Sequence, residues 1–128
     1  MNPKILIIGA CGQIGTELTH QLRAIYGTDN VIASDIRKLN NDVVNSGPFE
    51  VINALDFNQI EHLVEVHQIT DVYLMAALLS ATAEKNPAFA WDLNMNSLFH
   101  VLNLAKAKKI KKIYDYPQFV PFALLSYI

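Results

Sequence analysis

Lys4-Ile5-Leu6-Ile7-Ile8-Gly9-Ala10-Cys11-Gly12-Gln13-Ile14-Gly15 opens with a β-branched apolar run and closes on three glycines spaced three apart. An apolar run that does not alternate with polar residues belongs to a strand buried on both faces, as in the interior of a parallel sheet. Lys4 to Ile8 is therefore expected as the first strand, ending at Gly9. From Gly12 to about Ile25 the period changes. Ile14, Leu18, Leu22 and Ile25 recur at helical spacing, and Gly27 supplies a stop. Strand, glycine turn and helix together form the opening half of a βαβ unit.

The same rhythm repeats along the rest of the chain. Val31 to Ser34 is expected as strand two, followed by a polar stretch, Asp35 to Pro48, whose Asn, Asp, Gly and Pro content suits a long connection. Glu50 to Asn53 is expected as strand three. Asp56 to His67 reads as a helix with Ile60, Leu63, Val64 and His67 on one stripe, and Asp71 to Met75 as strand four. A long helix from near Pro87 to Ala107 is expected to bury Trp91, Met95, Leu98, Val101, Leu102 and Ala105, before a fifth strand over Ile110 to Tyr114. Strands separated by crossover helices give an α/β fold: a Rossmann-like, doubly wound parallel sheet of about five strands with helices on both faces.

Composition agrees with one packed domain. At 128 residues, 52% hydrophobic and 17% charged, the chain has enough apolar surface for one core and too little charge for a disordered tail. A formal net charge of -2 offers no overall basic field for nucleic acid. The lone Cys11 cannot close an internal disulfide, no signal peptide opens the chain, and no apolar stretch reaches the roughly 20 residues of a membrane helix. A soluble, cytoplasmic protein is expected, with no nucleic acid and no membrane among its partners.

In a doubly wound sheet, ligands sit beyond the carboxyl ends of the strands, which makes the loop after strand one the foremost candidate site. Glycines at positions 9, 12 and 15 allow a tight turn, a close approach to a pyrophosphate and close packing of helix on strand. The helix N-terminus then presents free N–H groups to negative charge. Asp35 stands twenty positions after Gly15, at the end of strand two, where a carboxylate accepts hydrogen bonds from the ribose of NAD and repels the extra phosphate of NADP. NAD is the expected cofactor, and Arg37 the residue that could blur that preference. Asp56 has two compatible readings: a helix N-cap paired with Gln59, or a residue facing the adenine.

Gly9 to Gly15, Ser34-Asp35-Ile36-Arg37, Leu55-Asp56 and Met75-Ala76-Ala77-Leu78-Leu79-Ser80-Ala81 resemble the extended short-chain dehydrogenase/reductase family. Leu74 to Asn103 is most similar to its bacterial NAD-dependent L-threonine dehydrogenases, which are built like UDP-galactose epimerases. The resemblance implies that Gly9, Gly12 and Gly15, with Gln13 and Ile14 between them, hold the pyrophosphate. It implies Asp35 for the adenosine ribose, Asp56 for the adenine, and Ala76 and Ala77 for the nicotinamide-side ribose. Asn94 matches an asparagine that supports the cofactor site, and Ser80 lies on the loop that lines the substrate pocket.

The resemblance covers Met1 to about Lys112 and then stops. The family places a serine-rich turn and a Tyr-x-x-x-Lys pair after strand five, the lysine lowering the tyrosine pKa so that the tyrosine takes the substrate hydroxyl proton. Here Tyr26, Tyr73 and Tyr114 are followed four residues on by Asn30, Ala77 and Gln118. No catalytic residue is assigned. Residues 1–113 are expected as the NAD-binding domain and 114–128 as a tail unrelated to the family, whether by truncation, frameshift or divergence. The function expected is the NAD-binding portion of an L-threonine 3-dehydrogenase-like oxidoreductase. The alternatives are a non-catalytic dinucleotide-binding fragment and a fragment of a UDP-sugar epimerase or dehydratase.

Other chemistry is weaker. His62 and His67 are five apart on a helix, and His20 and His100 have no sequence neighbours with which to bind metal, so no metal site is expected. Cys11 reads as a small filler in a crowded loop, although a nearby helix N-terminus could lower its pKa. Lys106, Lys108, Lys109, Lys111 and Lys112 complement the end of the long helix. Phe119, Val120, Phe122, Ala123, Leu124 and Leu125 are too apolar for water, so the tail is expected to cover the open sheet edge or to mediate self-association.

Overall fold

A computed structural model describes residues 2–75, 85–115 and 125–127 of the chain. Strand β1 (Ile5–Ile8) has all four residues buried, and its side chains divide between two cores. Leu6 and Ile8 join one face, Ile5 and Ile7 the other. A strand that is apolar at every position is thereby accounted for: both of its faces are covered. Helix α1 (Gln13–Tyr26) returns the chain to β2 (Val31–Asp35), parallel to β1 with Ile5 opposite Val31. Strand β3 (Phe49–Val51) adds to the far side of β2. Helix α3 (Phe57–Val66) then carries the chain back across the sheet to β4 (Asp71–Leu74), which pairs with the free side of β1. The long helix α4 (Pro87–Lys106) leads to β5 (Lys112–Asp115), parallel to β4.

With a last strand, β6 (Leu125–Tyr127), the sheet order is β3-β2-β1-β4-β5-β6. The chain first builds away from β1 on one side and then on the other, so the direction of winding switches between β1 and β4, where a crevice opens at the carboxyl ends. Ile60, Leu63 and Val64 of α3 and Val101 and Leu104 of α4 cover one face. Leu22 of α1 and Val43 cover the other.

Four details depart from the sequence reading. The sheet has six strands, because β6 (Leu125–Tyr127) pairs antiparallel with β5, Asp115 facing Leu125. Part of the tail thus closes the edge that five parallel strands would leave unpaired. Within the expected connection Asp35 to Pro48 lies a one-turn helix, α2 (Asp42–Asn45). The Asn41 side chain caps it by accepting the Val44 N–H at 3.1 Å, while Val43 and Val44 are buried. A single turn has no period to detect, so only the cap could have signalled it.

The faces of two helices are also rotated from their apolar stripes. Helix α1 buries Gly15, Thr19, Leu22 and Arg23, whereas Ile14 and Ile25 are 49% and 66% exposed. Close approach to the glycine loop selects small residues on the inner face, and Thr19 satisfies its hydroxyl on the Gly15 carbonyl at 2.7 Å. Helix α4 buries Ser97, Val101 and Leu104, with Leu93, Leu98, Leu102 and Ala105 beside them, and leaves Trp91 59% exposed. Arg23 is the other surprise. Its guanidinium donates to the carbonyls of Val43 (2.9 Å) and Pro48 (2.8 Å) and to Ser46 Oγ (3.2 Å), tying α2 and the approach to β3 against α1. Burial holds its pKa below the usual arginine value.

Candidate functional site

The loop between β1 and α1 is fixed by hydrogen bonds that leave its outer surface open. Gly9 has φ +91°, a conformation that L side chains rarely adopt, and its N–H and that of Ala10 both donate to the Ser34 carbonyl at 2.9 Å. Gly15 is required by space: a Cβ there would lie 2.3 Å from the Gly9 carbonyl oxygen. At Gly12 the nearest protein atom to an added Cβ is 3.9 Å away, and this residue forms part of a cleft wall. Gly12 is also the N-cap of α1, so no side chain caps the helix, and its first turn carries no acidic residue. The N–H groups of Gln13, Ile14 and Gly15 are therefore left without a side-chain acceptor at the positive end of the helix. Gln13 and Ile14 are exposed there.

Asp35 is half-buried at the end of β2 and locked to the loop. Its Oδ2 accepts the Cys11 N–H at 2.9 Å and its Oδ1 the Ile36 N–H at 2.7 Å. Both oxygens keep lone pairs for further donors. Arg37 is exposed two residues on. Burial pushes the Cys11 thiol up, and the Asp35 charge raises it further against hydrogen bonds from Asn41 and Leu39 that act the other way. The lowered thiol pKa that a helix N-terminus could have produced is not found.

These residues border a cleft of about 450 Å³ at the carboxyl ends of the strands. Ile8, Gly9 and Gly12 come from β1 and its loop, Asp35 and Ile36 from the end of β2, Ile52 to Leu55 from the turn after β3, and Met75 from the end of β4. Phe89 and Leu93 of α4 close it from the side. The lining is largely apolar, with one carboxylate and one glycine-rich wall, a composition suited to a base and ribose beside a phosphate group.

Asp56 caps α3, its Oδ1 accepting the Gln59 N–H at 3.2 Å. Gln59 Oε1 reaches back to the Asn53 N–H at 2.8 Å, three residues earlier than a capping box requires, and Asn53 Oδ1 accepts the Leu55 N–H at 2.9 Å. The turn that forms the cleft wall is thus braced from within, and the wall itself is made by Asn53, Ala54 and Leu55 just before Asp56. Asn94 is half-buried on α4 next to Leu93, with its amide nitrogen buried. Ala76, Ala77 and Ser80 lie outside the described residues.

Sequence reasoning missed Ile36, Met75, Phe89 and Leu93 as lining residues, and His100 as a partner of the site. Phe89 and Leu93 are four apart on a helix, a spacing that any core stripe shares. His100 does have a partner: its Nε2–H donates to the Leu55 carbonyl at 3.1 Å. Elsewhere, Lys109 pairs with Glu61 and Glu65 of α3 at 3.0 and 2.8 Å, so one lysine of the basic cluster ties the turn after α4 to α3. Tyr73 stacks on Tyr114 with ring centroids 4.3 Å apart. Burial, reinforced by Tyr114, drives its hydroxyl pKa far above the ordinary tyrosine value, which makes it no base at neutral pH. Among the described residues no helix is long and apolar enough to cross a membrane.

Known proteins with this sequence pattern agree with this geometry. The chain is 50% identical over 109 residues to an uncharacterized epimerase/dehydratase of Staphylococcus saprophyticus, an alignment covering 84% of this chain and 34% of that protein. Among solved structures it is similar to a partial consensus L-threonine 3-dehydrogenase, with 55% identity, a TM-score of 0.82, and coverage of 87% of this chain and 35% of that one. The GalE-like L-threonine dehydrogenase from Cupriavidus necator in its holo form matches at 49% identity and a TM-score of 0.81, over 87% of this chain and 35% of the other. The chain spans about a third of the length of the curated relatives it matches. Residues 5–116 match a single family along nearly the whole α/β sheet, and the chain belongs to it: the NAD dependent epimerase/dehydratase family.

Proposed function

We propose that this chain is the cofactor-binding part of a cytoplasmic, NAD-dependent oxidoreductase of the L-threonine 3-dehydrogenase type. Residues 1–113 form the NAD-binding domain, and the tail 114–128, which includes the end of β5 and the edge strand Leu125–Tyr127, is not a second domain. The observation that carries the reading is the cleft that joins an uncapped helix N-terminus, a Cβ-free wall at Gly12 and the anchored carboxylate of Asp35. In this arrangement the N–H groups of Gln13, Ile14 and Gly15 receive the pyrophosphate, with Gly9, Gly12 and Gly15 leaving room for it. Asp35 accepts from the adenosine ribose, the wall ending at Asp56 flanks the adenine, Ala76 and Ala77 meet the nicotinamide-side ribose, and Asn94 supports the site from α4. Ser80 belongs to the substrate side.

NAD, when bound, supplies a hydride acceptor. The chain's own residues orient it and select it. The carboxylate of Asp35 would repel a 2′-phosphate, so NADP is disfavoured. L-Threonine as the substrate of the whole enzyme is supported by the 43–55% identity to three solved L-threonine dehydrogenases along 87–90% of this chain. Calorimetric titration of the purified chain with NAD and with NADP tests the reading. We expect NAD to bind at least about tenfold more tightly, a difference of ~1.4 kcal/mol. Equal or reversed affinities would overturn the assignment of Asp35.

A further inference from the structure

We propose that His100 is a positioning residue for the cleft, holding the wall formed by Asn53, Ala54 and Leu55 at a fixed distance from α4. From α4 its Nε2–H donates to the Leu55 carbonyl at 3.1 Å, across 45 residues of sequence. Its ring also meets Phe57, the first residue of α3, edge to face at 5.6 Å and 61°. Of the other hydrogen bonds of this turn, Leu55 N–H to Asn53, Asn53 N–H to Gln59 and Gln59 N–H to Asp56 stay within residues 53–59, and Ile52 N–H reaches the Asp35 carbonyl of β2; none of these reaches α4. They set the shape of the wall, whose link to α4 is otherwise apolar packing without direction. Helix α4 supplies the facing surface through Phe89 and Leu93, and Leu93 lies seven residues, two helical turns, before His100. One helix therefore carries both the facing surface and the tie that fixes the gap.

The gap matters because contact with a flat base falls off steeply with distance. A wall set back by about 0.5–1 Å forfeits a quarter to a half of its dispersion attraction. This inference rests on the reading that the cleft binds NAD, and it concerns the base-contacting wall rather than the glycine loop. His100 is therefore expected to affect adenosine binding and to leave phosphate binding unchanged.

The test is calorimetric titration of the 128-residue chain with NAD, with AMP and with inorganic pyrophosphate, in the parent and three variants. His100→Phe keeps the edge contact and removes the donor, His100→Met is a second non-donor of different shape, and His100→Gln restores an N–H donor. We expect H100F and H100M to bind NAD and AMP about fivefold to tenfold more weakly, the ratio set by one net hydrogen bond, with pyrophosphate affinity within about twofold of the parent. H100Q should recover most of the AMP affinity. Unchanged AMP binding in both non-donors, an equal loss of AMP and pyrophosphate, or H100Q behaving like H100F would each overturn the inference. A parent chain that binds neither NAD nor AMP would overturn the cofactor reading and this inference together, whereas a binding parent with unchanged non-donors would remove His100 alone.

Discussion

Asp35 does two jobs with one carboxylate, because the same oxygens that face the cleft hold the Cys11 and Ile36 amides. Asp35→Ala should therefore weaken NAD binding about tenfold to a hundredfold, since hydrogen bonds to a charged group contribute ~1.5–3 kcal/mol and the loop loses its anchor as well. Calorimetry would read the loss, and an Asp35→Ala chain with parental affinity would show the carboxylate to be merely solvated. Gly15→Ala should destabilise the fold itself, because the added methyl meets the Gly9 carbonyl at 2.3 Å and the obstacle is backbone rather than a flexible side chain. Overpacking of this kind costs ~1–3 kcal/mol, or a melting temperature lower by roughly 5–10 °C, measurable by circular dichroism. The raised Cys11 thiol should react with iodoacetamide at pH 8 more slowly than a free cysteine, since less of it is thiolate; an equal or faster rate would contradict its burial. At this scale the sequence was most legible. Glycine spacing and an acid twenty residues on follow directly from what a phosphate and a ribose require. What spacing could not supply was the Cys11 to Asp35 bond, which joins residues 24 apart.

Elements were legible in type and order and less so in orientation. Short apolar strands flanked by helical periods gave the alternation, but Ile14, Ile25 and Trp91 sit outside although their spacing matches an inner stripe. At the start of α1 the reason is packing distance: Gly15 approaches the β1 loop so closely that no side chain fits on the inner face there, and Ile14 turns outward, while Leu22 packs further along the helix. A hydrophobic stripe reports where apolar residues recur, whereas contact geometry decides which side fits. The turn before α3 shows a related limit. Asp56 and Gln59 were legible as a capping pair, and Asp56 does accept the Gln59 N–H, yet the Gln59 side chain accepts from the Asn53 N–H rather than from that of Asp56. Asp56→Ala should lower stability by about 1 kcal/mol through loss of the cap. Thermal denaturation would check this, and an unchanged midpoint would show that Gln59 and Asn53 suffice to start the helix.

For the whole molecule, the doubly wound sheet places the switch between β1 and β4, and the cleft stands at that point. The antiparallel β6 could not be read in advance, because a three-residue strand at the end of an apolar tail has neither length nor alternation to announce it. None of the tyrosines has a lysine four residues on, and Tyr73 is buried against Tyr114. The purified 128-residue chain should therefore give no NADH from L-threonine above a heat-killed control. Loss of a general base alone costs roughly a hundredfold to ten-thousandfold in rate. Turnover within tenfold of the ~10 s⁻¹ typical of enzymes would mean that another residue serves as base. The central claim is that the cleft at the carboxyl ends of the strands is the NAD site, and it can be tested residue by residue by adding NAD to the ¹⁵N-labelled chain and following its amide signals by NMR. The largest shifts should fall on Gly9, Gly12 to Gly15, Ile36 and Asn53 to Leu55. Shifts centred instead on the hollow of about 400 Å³ lined by Val64, Gln68, Thr70 and Lys109, or no shifts at all, would contradict it.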